Sequence, residues 1–263
     1  MTGSTDATPE AVRSALADVA DPARAAGSVR FFKTGPGGYA EGDVFLGVTM
    51  PQVREVARRY ADLPLAGAGE LLSSAVHEVR LCALVILVSR FERAGRPRMR
   101  DHAVRARVAT FYLDAVRRGR VDNWDLVDAS ADRILGAWLA DPPTGTDAPP
   151  ASVGAAPTMR DLDALVAADD LWQRRVAIIA TYAFLKRGDG GPTLRLAPRL
   201  LEDPHDLIHK ATGWMLRELG ERVGRAPLEQ FLEEHAARMP RTMLSYATEH
   251  LAPEDRARFR AMR

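Results

Sequence analysis

The repeat that decides the fold reads Leu171-Trp172-Gln173-Arg174-Arg175-Val176 in one copy and His205-Asp206-Leu207-Ile208 in the next. The two starts lie 34 residues apart, and Pro240 follows 35 residues after the second. Each copy opens on a polar or aromatic pair and continues as an apolar helix; earlier copies begin at His77 and Asn123, with longer gaps. Helical hairpins at this period indicate an α-solenoid of HEAT-like repeats, whose inner helices line a concave groove.

Helical periodicity extends through most of the chain, and strand signals are scarce. Apolar residues have helical spacing in the segments 51–62, 78–93, 99–118, 123–140, 160–169, 171–187, 193–202, 205–222, 226–237 and 240–250. The glycine-rich stretch 33–43 is predicted to be a loop. The insert 141–157, rich in Pro, Gly, Ala and Thr, is predicted to be a flexible surface loop that joins helices rather than domains. We therefore predict an all-α fold in a single domain, 1–263.

Composition restricts the class of protein. The chain has 263 residues, 46% apolar and 27% charged, which is typical of a globular protein. No apolar run approaches the roughly 18–20 residues that a membrane span needs, and the first residues lack the pattern of a signal peptide. The single cysteine, Cys82, lies in an apolar run and is predicted to be buried. We expect a monomer in the cytoplasm, without a membrane partner.

Charge is distributed unevenly along the chain although the net charge is only +1. Residues 76–120 contain 11 Arg and Lys against 4 Asp and Glu, whereas residues 121–170 contain 2 against 10. Residues 171–263 are basic again, with 16 against 12. Solvated helix faces explain such runs. The alternative is a phosphate-binding surface around a centre that carries carboxylates.

The acidic segment contains an unusual pair, Trp124 and Asp128, which share one helix face because they are four residues apart. A carboxylate beside a large aromatic ring suits a cationic or sugar-like ligand better than a core. Further candidates on the repeat helices are Arg175, Lys210, Trp214 and Arg217. Each also has a structural explanation, since a tryptophan can fill a core and an aspartate can pair with an arginine.

Together, six stretches resemble the AlkD-type DNA alkylation repair glycosylases. They are Gly42-Asp-Val-Phe-Leu-Gly-Val48, His77-Glu-Val-Arg80, Asn123-Trp-Asp-Leu-Val-Asp128, Leu171-Trp-Gln-Arg-Arg-Val-Ala-Ile178, His205-Asp-Leu-Ile-His-Lys210 and Gly213-Trp-Met-Leu-Arg-Glu218. They span roughly residues 29–250 without the insert. The resemblance implies a stack of HEAT-like repeats whose concave face holds duplex DNA. It also implies an enzyme that excises N3- and N7-alkylated purines and is associated with the nucleoid when it is bound to DNA.

By this resemblance, Trp124 and Trp214 flank the deoxyribose of the damaged nucleotide and Asp128 is the catalytic aspartate. Arg175 and Arg217 would hold the DNA backbone near the lesion, with Lys210 as a further DNA contact. Thr49 stands where the family has a glutamine that contacts DNA, and it is a further predicted DNA contact. The resemblance also implies recognition of sugar and backbone without a pocket for the base, so that bulky adducts are tolerated.

The reaction implied is monofunctional hydrolysis of the N-glycosidic bond, with no cofactor, because no lysine is placed as a Schiff-base nucleophile. Two histidines, His205 and His209, have the spacing of a zinc pair, but the motif lacks a glutamate and a third ligand, so no metal is expected. The glycine-rich loop lacks the Gly-Lys-Ser/Thr of a nucleotide loop. Two alternatives remain open: a non-catalytic HEAT-repeat protein that binds damaged or structured DNA, and a scaffold that binds protein.

Overall fold

The computed structural model describes residues 7–143 and 155–262, and the fold throughout these two ranges is helical. No β-strand occurs within them, although an isolated parallel bridge joins Val44 and Val76. The prediction of an all-α fold is therefore confirmed. None of the helices in the described ranges is long and apolar enough to cross a membrane.

The described residues form two compact units. The first contains residues 7–130, 143 and 155–156, and the second contains residues 131–142 and 157–262. The helices of the first unit are α1 (Pro9–Ala17), α2 (Pro22–Phe31), α3 (Met50–Arg59), α4 (Leu65–Leu72), α5 (His77–Gly95), a 3-10 turn (Pro97–Met99), α6 (His102–Arg117) and α7 (Trp124–Ser130).

The second unit is built in the same way from short helices. It contains a π turn (Asp132–Gly136), α8 (Ala137–Leu139), α9 (Met159–Val166), α10 (Leu171–Ala180), α11 (Tyr182–Leu185), α12 (Gly191–Leu196), a 3-10 turn (Ala197–Leu200), α13 (Asp206–Arg222), α14 (Arg225–His235), α15 (Arg241–Ala247) and α16 (Pro253–Ala261). Of the insert 141–157, residues 144–154 lie outside the described ranges, and the described remainder is not helical.

Helix α5 is the centre of the first unit. It packs against α3, α4, α6 and α7, and most of its residues are buried, in keeping with a helix that is apolar on nearly every side. Cys82 lies in its middle and is fully buried, as predicted, and burial raises the pKa of its thiol to about 12. Because the thiolate is the reactive form, Cys82 is a packing residue.

Helix α13 has the same role in the second unit, where it packs against α10, α14 and most extensively α15. The close approach of α15 depends on Gly213. A Cβ atom at this position would lie 2.5 Å from the Met243 carbonyl oxygen and 2.6 Å from the Tyr246 Cβ atom. The close contact of Gly213 with the backbone of α15 thus fixes the position of the backbone next to Trp214.

Two predicted helices are interrupted. In 123–140, the Gly136 N–H donates to the Ala131 carbonyl at 2.9 Å, five residues back, which makes a π turn between α7 and α8. In 171–187, the Thr181 hydroxyl donates to the Ile178 carbonyl at 2.7 Å, which competes with the helical ladder and ends α10. Helices α1, α2, α4 and α16 had no counterpart among the predicted segments. Their apolar stripes are too short to stand out.

We predict that Gly213→Ala lowers the free energy of unfolding by about 1–3 kcal/mol, since the added methyl group must push α15 away from α13. Thermal unfolding measures the change. Gly27→Ala is the matched control, because a Cβ on this residue of α2 meets no atom within 4 Å. In that helix the same substitution should be neutral or stabilising. Equal melting temperatures for the two variants would contradict the account of Gly213.

Candidate active site

Helix α7 begins directly after Asn123 and contains the two candidate residues, Trp124 and Asp128. The Asn123 side chain is completely buried, and its oxygen accepts the Trp124 backbone N–H at 2.8 Å. Trp124 and Asp128 follow on this short helix, and both are half-buried. The prediction that they lie on one helix is confirmed, and their spacing places them on one face.

An aromatic cluster supports the Trp124 indole. The Phe32 ring stacks on it, with a centroid distance of 5.5 Å and an interplanar angle of 14°. The Phe31 ring meets the indole edge-on at 6.0 Å, and Phe32 stacks in turn on Phe45 at 4.9 Å. Phe31 itself is 65% exposed. One face of the indole is therefore covered by protein.

Below this cluster, His77 joins α5 to α7. It is 2% exposed, and both of its ring nitrogens meet carboxylates: Nδ1 lies 3.2 Å from Asp43 Oδ2, and Nε2 lies 2.8 Å from Asp125 Oδ2. The rings of Phe32 and Phe45 lie 4.9 and 4.8 Å from the imidazole. The first turn of α7 is thus tied to the start of α5 through a buried side chain.

Arg80 completes this group of charges. Its Nη2 donates to Asp43 Oδ1 at 2.7 Å, its Nη1 donates to the Ser74 carbonyl at 3.0 Å, and its Nε lies 3.3 Å from Asp122 Oδ1. We call His77, Arg80, Asp43, Asp122 and Asp125 the charge cluster. It contains three carboxylates and two cationic side chains, so its charges nearly balance when His77 carries a proton.

The pKa values in the charge cluster follow from these contacts. Burial alone lowers the pKa of His77, but the hydrogen bonds with Asp125 and Asp43 outweigh it and raise the pKa to about 9. Burial also opposes ionisation of Asp43, yet His77 and Arg80 together bring its pKa below the usual value. At Asp122 burial prevails over the charge of Arg80, and the pKa is raised. His77 is therefore an imidazolium at neutral pH.

The segment before α3 is shaped by Glu78. Its carboxylate accepts three successive backbone N–H groups, those of Leu46, Gly47 and Val48, at 2.7 to 3.2 Å. Thr49, the predicted DNA contact, follows as the N-cap of α3. It is half-buried, and its hydroxyl and its backbone N–H both donate to Gln52 Oε1, at 2.6 and 2.9 Å. The Thr49 side chain is therefore part of a capping box.

In the second unit, Trp214 lies half-buried in a polar group on α13. Its Nε1 donates to Glu218 Oε1 at 3.2 Å, and its ring lies 5.8 Å from the Tyr182 ring. Arg222 connects the two, donating to Glu218 at 2.7 Å and to the Tyr182 hydroxyl at 2.6 Å. Burial opposes charge on Glu218, but the hydrogen bonds from Arg222 and Trp214 prevail and lower its pKa.

The predicted basic residues of this unit are engaged with protein groups. Arg175 is 5% exposed, and its guanidinium donates to the Leu207 carbonyl at the start of α13. Arg217 forms an ion pair with Glu249, and Lys210 Nζ lies 2.7 Å from Asp206 Oδ2. Lys210, Trp214 and Arg217 share α13, as the sequence predicted. Asp128 and Trp124 belong to the first unit.

The family is decided by a comparison of the whole sequence. A family model described as "DNA alkylation repair enzyme" matches residues 12–251. The chain belongs to the DNA alkylation repair enzyme family. This match includes both units and all of the candidate residues. It confirms the family resemblance that the six sequence stretches indicated.

A solved structure shares the fold of this chain. The chain is similar to a "Predicted DNA alkylation repair enzyme from Enterococcus faecalis", with a TM-score of 0.61 and 15% sequence identity. The similarity covers 89% of this chain and 97% of the other. At this identity it shows a shared fold, the all-α fold predicted from the sequence. No curated protein matches the chain significantly.

Sequence reasoning missed most of the charge cluster. The quoted motifs contained Asp43, His77, Arg80 and Asp125, but no role was assigned to any of them. A signal existed in the sequence, because the apolar helix α5 carries three polar or charged residues in its first turn, His77, Glu78 and Arg80. Phe32, which stacks on Trp124, gave no such signal because an aromatic residue before a glycine-rich loop is unremarkable.

We predict that the free energy of unfolding decreases as the pH rises from the ordinary histidine value of 6.5 to about 9. The pKa of His77 is higher in the folded protein, so its contribution is complete below 6.5 and is lost as the pH passes 9. Denaturant unfolding at a series of pH values measures the slope. His77→Gln should lower stability by roughly 3 kcal/mol near neutral pH and should abolish this slope. A parent-like slope in the variant would contradict the assignment.

Proposed function

We propose that the protein is a monofunctional DNA glycosylase that hydrolyses the N-glycosidic bond of cationic N3- or N7-alkylated purines in duplex DNA. The observation that supports it most is the half-buried pair of Trp124 and Asp128 on one face of α7. The pair is supported by Phe32 and by the charge cluster. Membership of the DNA alkylation repair family supplies the class of substrate.

The chemistry suits a carboxylate and an indole. An alkylated purine carries a positive charge, so it leaves as a neutral base and needs little protonation. Cleavage of the C1′–N bond leaves a sugar with oxocarbenium character. The Asp128 carboxylate would stabilise this charge and orient the water that attacks C1′. An indole face beside a cation adds about 0.5–2 kcal/mol of attraction.

The stack of Phe32 on Trp124 supports a fixed direction for the indole. Because Phe32 covers one face of the ring, the opposite face is the one we assign to the deoxyribose. A positioned aromatic wall limits the movement of the sugar, and correct placement lowers the barrier without any chemical participation. Recognition would then involve the sugar and backbone, which leaves room for bulky adducts on the base.

We assign DNA contacts to Trp214, Arg217 and Lys210 on α13. In the protein without DNA, Arg217 is paired with Glu249 and Lys210 with Asp206. A phosphate group can replace such a carboxylate as the partner of the cation, and both carboxylates are exposed, so water solvates them when they are released. Arg175 is assigned two roles, as a contact to the DNA backbone and as a structural residue. Its bond to the Leu207 carbonyl fixes the beginning of the helix that carries these residues.

Hydrolysis without strand cleavage is supported by the lysines. The chain contains three, Lys33, Lys186 and Lys210. Lys186 Nζ lies 2.6 Å from Asp132 Oδ2, Lys210 is paired with Asp206, and Lys33 Nζ lies over the Tyr39 ring, 5.9 Å from its centroid. An ammonium group held by a carboxylate or an aromatic ring must lose its proton before it can attack C1′ as an amine. Water is therefore the nucleophile we propose, and an abasic site is the product.

We predict that the parent protein releases free base from duplex DNA containing 7-methylguanine and that Asp128→Asn is slower by about 10²–10³-fold. The amide keeps the size of the side chain and removes its charge. Single-turnover assays measure the released base, and gel analysis checks that the duplex remains uncut.

The control for this variant is Asp114→Asn, the same change at an exposed residue of α6. It should retain the parent rate. If Asp128→Asn matches the parent, the assignment of Asp128 is wrong. If the parent binds duplex DNA in a salt-dependent way and releases no base, the non-catalytic alternative is correct.

A second prediction concerns Arg217. We expect Arg217→Ala to weaken binding to undamaged duplex DNA. The slope of log Kd against log salt concentration should decrease by about 1, the value for one phosphate contact. Fluorescence anisotropy over a range of salt concentrations measures the slope. Arg238→Ala is the control, because Arg238 also forms an ion pair, with Glu202, but lies outside the assigned contacts. Equal slopes for both variants would exclude Arg217 as a phosphate contact.

A further inference from the structure

Within the charge cluster, a single buried hydrogen bond between side chains joins the first turn of α7 to α5. Asp125 lies in that turn, next to Trp124, and accepts from His77 Nε2 at 2.8 Å. The other ring nitrogen of His77 meets Asp43 at 3.2 Å. Because carboxylates only accept hydrogen bonds, a histidine bonded to two of them must donate from both nitrogens. Only an imidazolium can do so.

The same ring also supports the indole from below. Phe32 lies against His77 at 4.9 Å and stacks on Trp124 at 5.5 Å. His77 therefore reaches Trp124 by two routes, through the helix turn that contains Asp125 and through the ring of Phe32. A shift of His77 would be transmitted to the indole and, along α7, to Asp128.

We propose that His77 is a positioning residue for Trp124 and Asp128, and that it acts as an imidazolium clamped between Asp43 and Asp125. This role rests on the proposed glycosylase function. His77 does not contact the reacting atoms; it sets the rotation of α7 and so the directions of the two side chains that do.

The charges that face His77 make this state depend on its proton. Asp43 approaches from the loop before α3, Asp125 from α7, and Arg80 from the next turn of α5, while Asp122 reaches Arg80 from the segment before α7. A neutral imidazole keeps one N–H, so it must release one carboxylate. Asp43 retains Arg80, whereas His77 is the cation that holds Asp125. Whichever nitrogen keeps its hydrogen, loss of the proton removes the positive charge beside Asp125 and so weakens the α7 contact.

The direction of the effect follows from the pKa of about 9. Below this value His77 is charged and α7 is held; above it the clamp opens and base release should slow. Asp125→Asn removes one of the two carboxylates and so lowers the pKa of His77, by about one unit or more. The clamp of this variant should open at a lower pH than that of the parent.

The test is single-turnover release of 7-methylguanine by the complete protein from about pH 6 to about pH 10. Rates are expressed as the ratio of Asp125→Asn to parent at each pH, so that ionisation of the substrate cancels. We expect this ratio to fall by at least about fivefold between pH 6 and pH 9 and to approach about tenfold above it, while the Kd for duplex DNA stays within about twofold. A purely structural defect would give a ratio that is low but independent of pH.

Two further measurements keep the proposal open to refutation if a variant is unstable. The ring nitrogen shifts of His77, measured by NMR in the parent protein, should report an imidazolium at neutral pH and a titration near 9. The second measurement is the pH profile of His235→Gln, which changes a half-buried histidine outside the charge cluster, on α14 beside Phe231 and Glu234. It should follow the parent profile.

Each outcome decides between the two proposals. If the parent releases no base, the glycosylase function fails and this role of His77 fails with it. If the parent releases base but the ratio is independent of pH, or His77 is neutral near pH 7, the positioning role alone is wrong. A ratio that falls with pH, together with a titration of His77 near 9, supports both.

Discussion

The arrangement of the candidate site depends on a buried histidine that lies between two carboxylates. His77 connects the loop that carries Asp43 to the helix turn that carries Asp125, and the rings of Phe32 and Phe45 lie against it. A buried charge is unfavourable unless it is paired, and here each charge has at least one partner. Removal of one partner from such a cluster is costly, whereas replacement of the whole cluster by apolar residues need not be. The value of the cluster lies in fixing the geometry of α7, because alternative rotations would separate opposite charges.

Each unit holds its candidate tryptophan in place with a different set of side chains. In the first unit, a charge cluster and an aromatic stack hold Trp124. In the second unit, Glu218 holds the indole N–H of Trp214 and is itself held by Arg222. Close helix packing at Gly213 fixes the backbone beside that tryptophan. In both units the candidate tryptophan is half-buried, so one part of its surface is exposed while another is fixed by protein contacts.

Much of the fold could be predicted from the sequence because helical periodicity is a local signal. The segments 205–222 and 226–237 correspond closely to α13 and α14. The breaks at Thr181 and Gly136 could not be predicted, since they arise from a side-chain hydrogen bond and from close helix packing. The pairing of Trp124 with Asp128 on α7 followed from their spacing.

The partners of that pair could not be predicted, because they come from distant parts of the chain. Phe32 and Asp43 precede Trp124 by 80 residues or more, and only the fold brings them to α7. The family resemblance supplied roles for Asp128 and Trp124, and no local pattern could show that His77 holds their helix. The sequence shows only that polar and charged residues, His77-Glu78-Val79-Arg80, begin an apolar helix.

The central claim is that the Asp128 carboxylate stabilises positive charge on the sugar. The most direct test compares the affinity of the protein for two duplexes, one with a cationic 1-aza-deoxyribose at the lesion position and one with a neutral tetrahydrofuran. We expect the parent to bind the cationic analogue about 10²-fold more tightly, and Asp128→Asn to lose this preference. Equal affinities in the parent, or a preference that survives in Asp128→Asn, would contradict the claim.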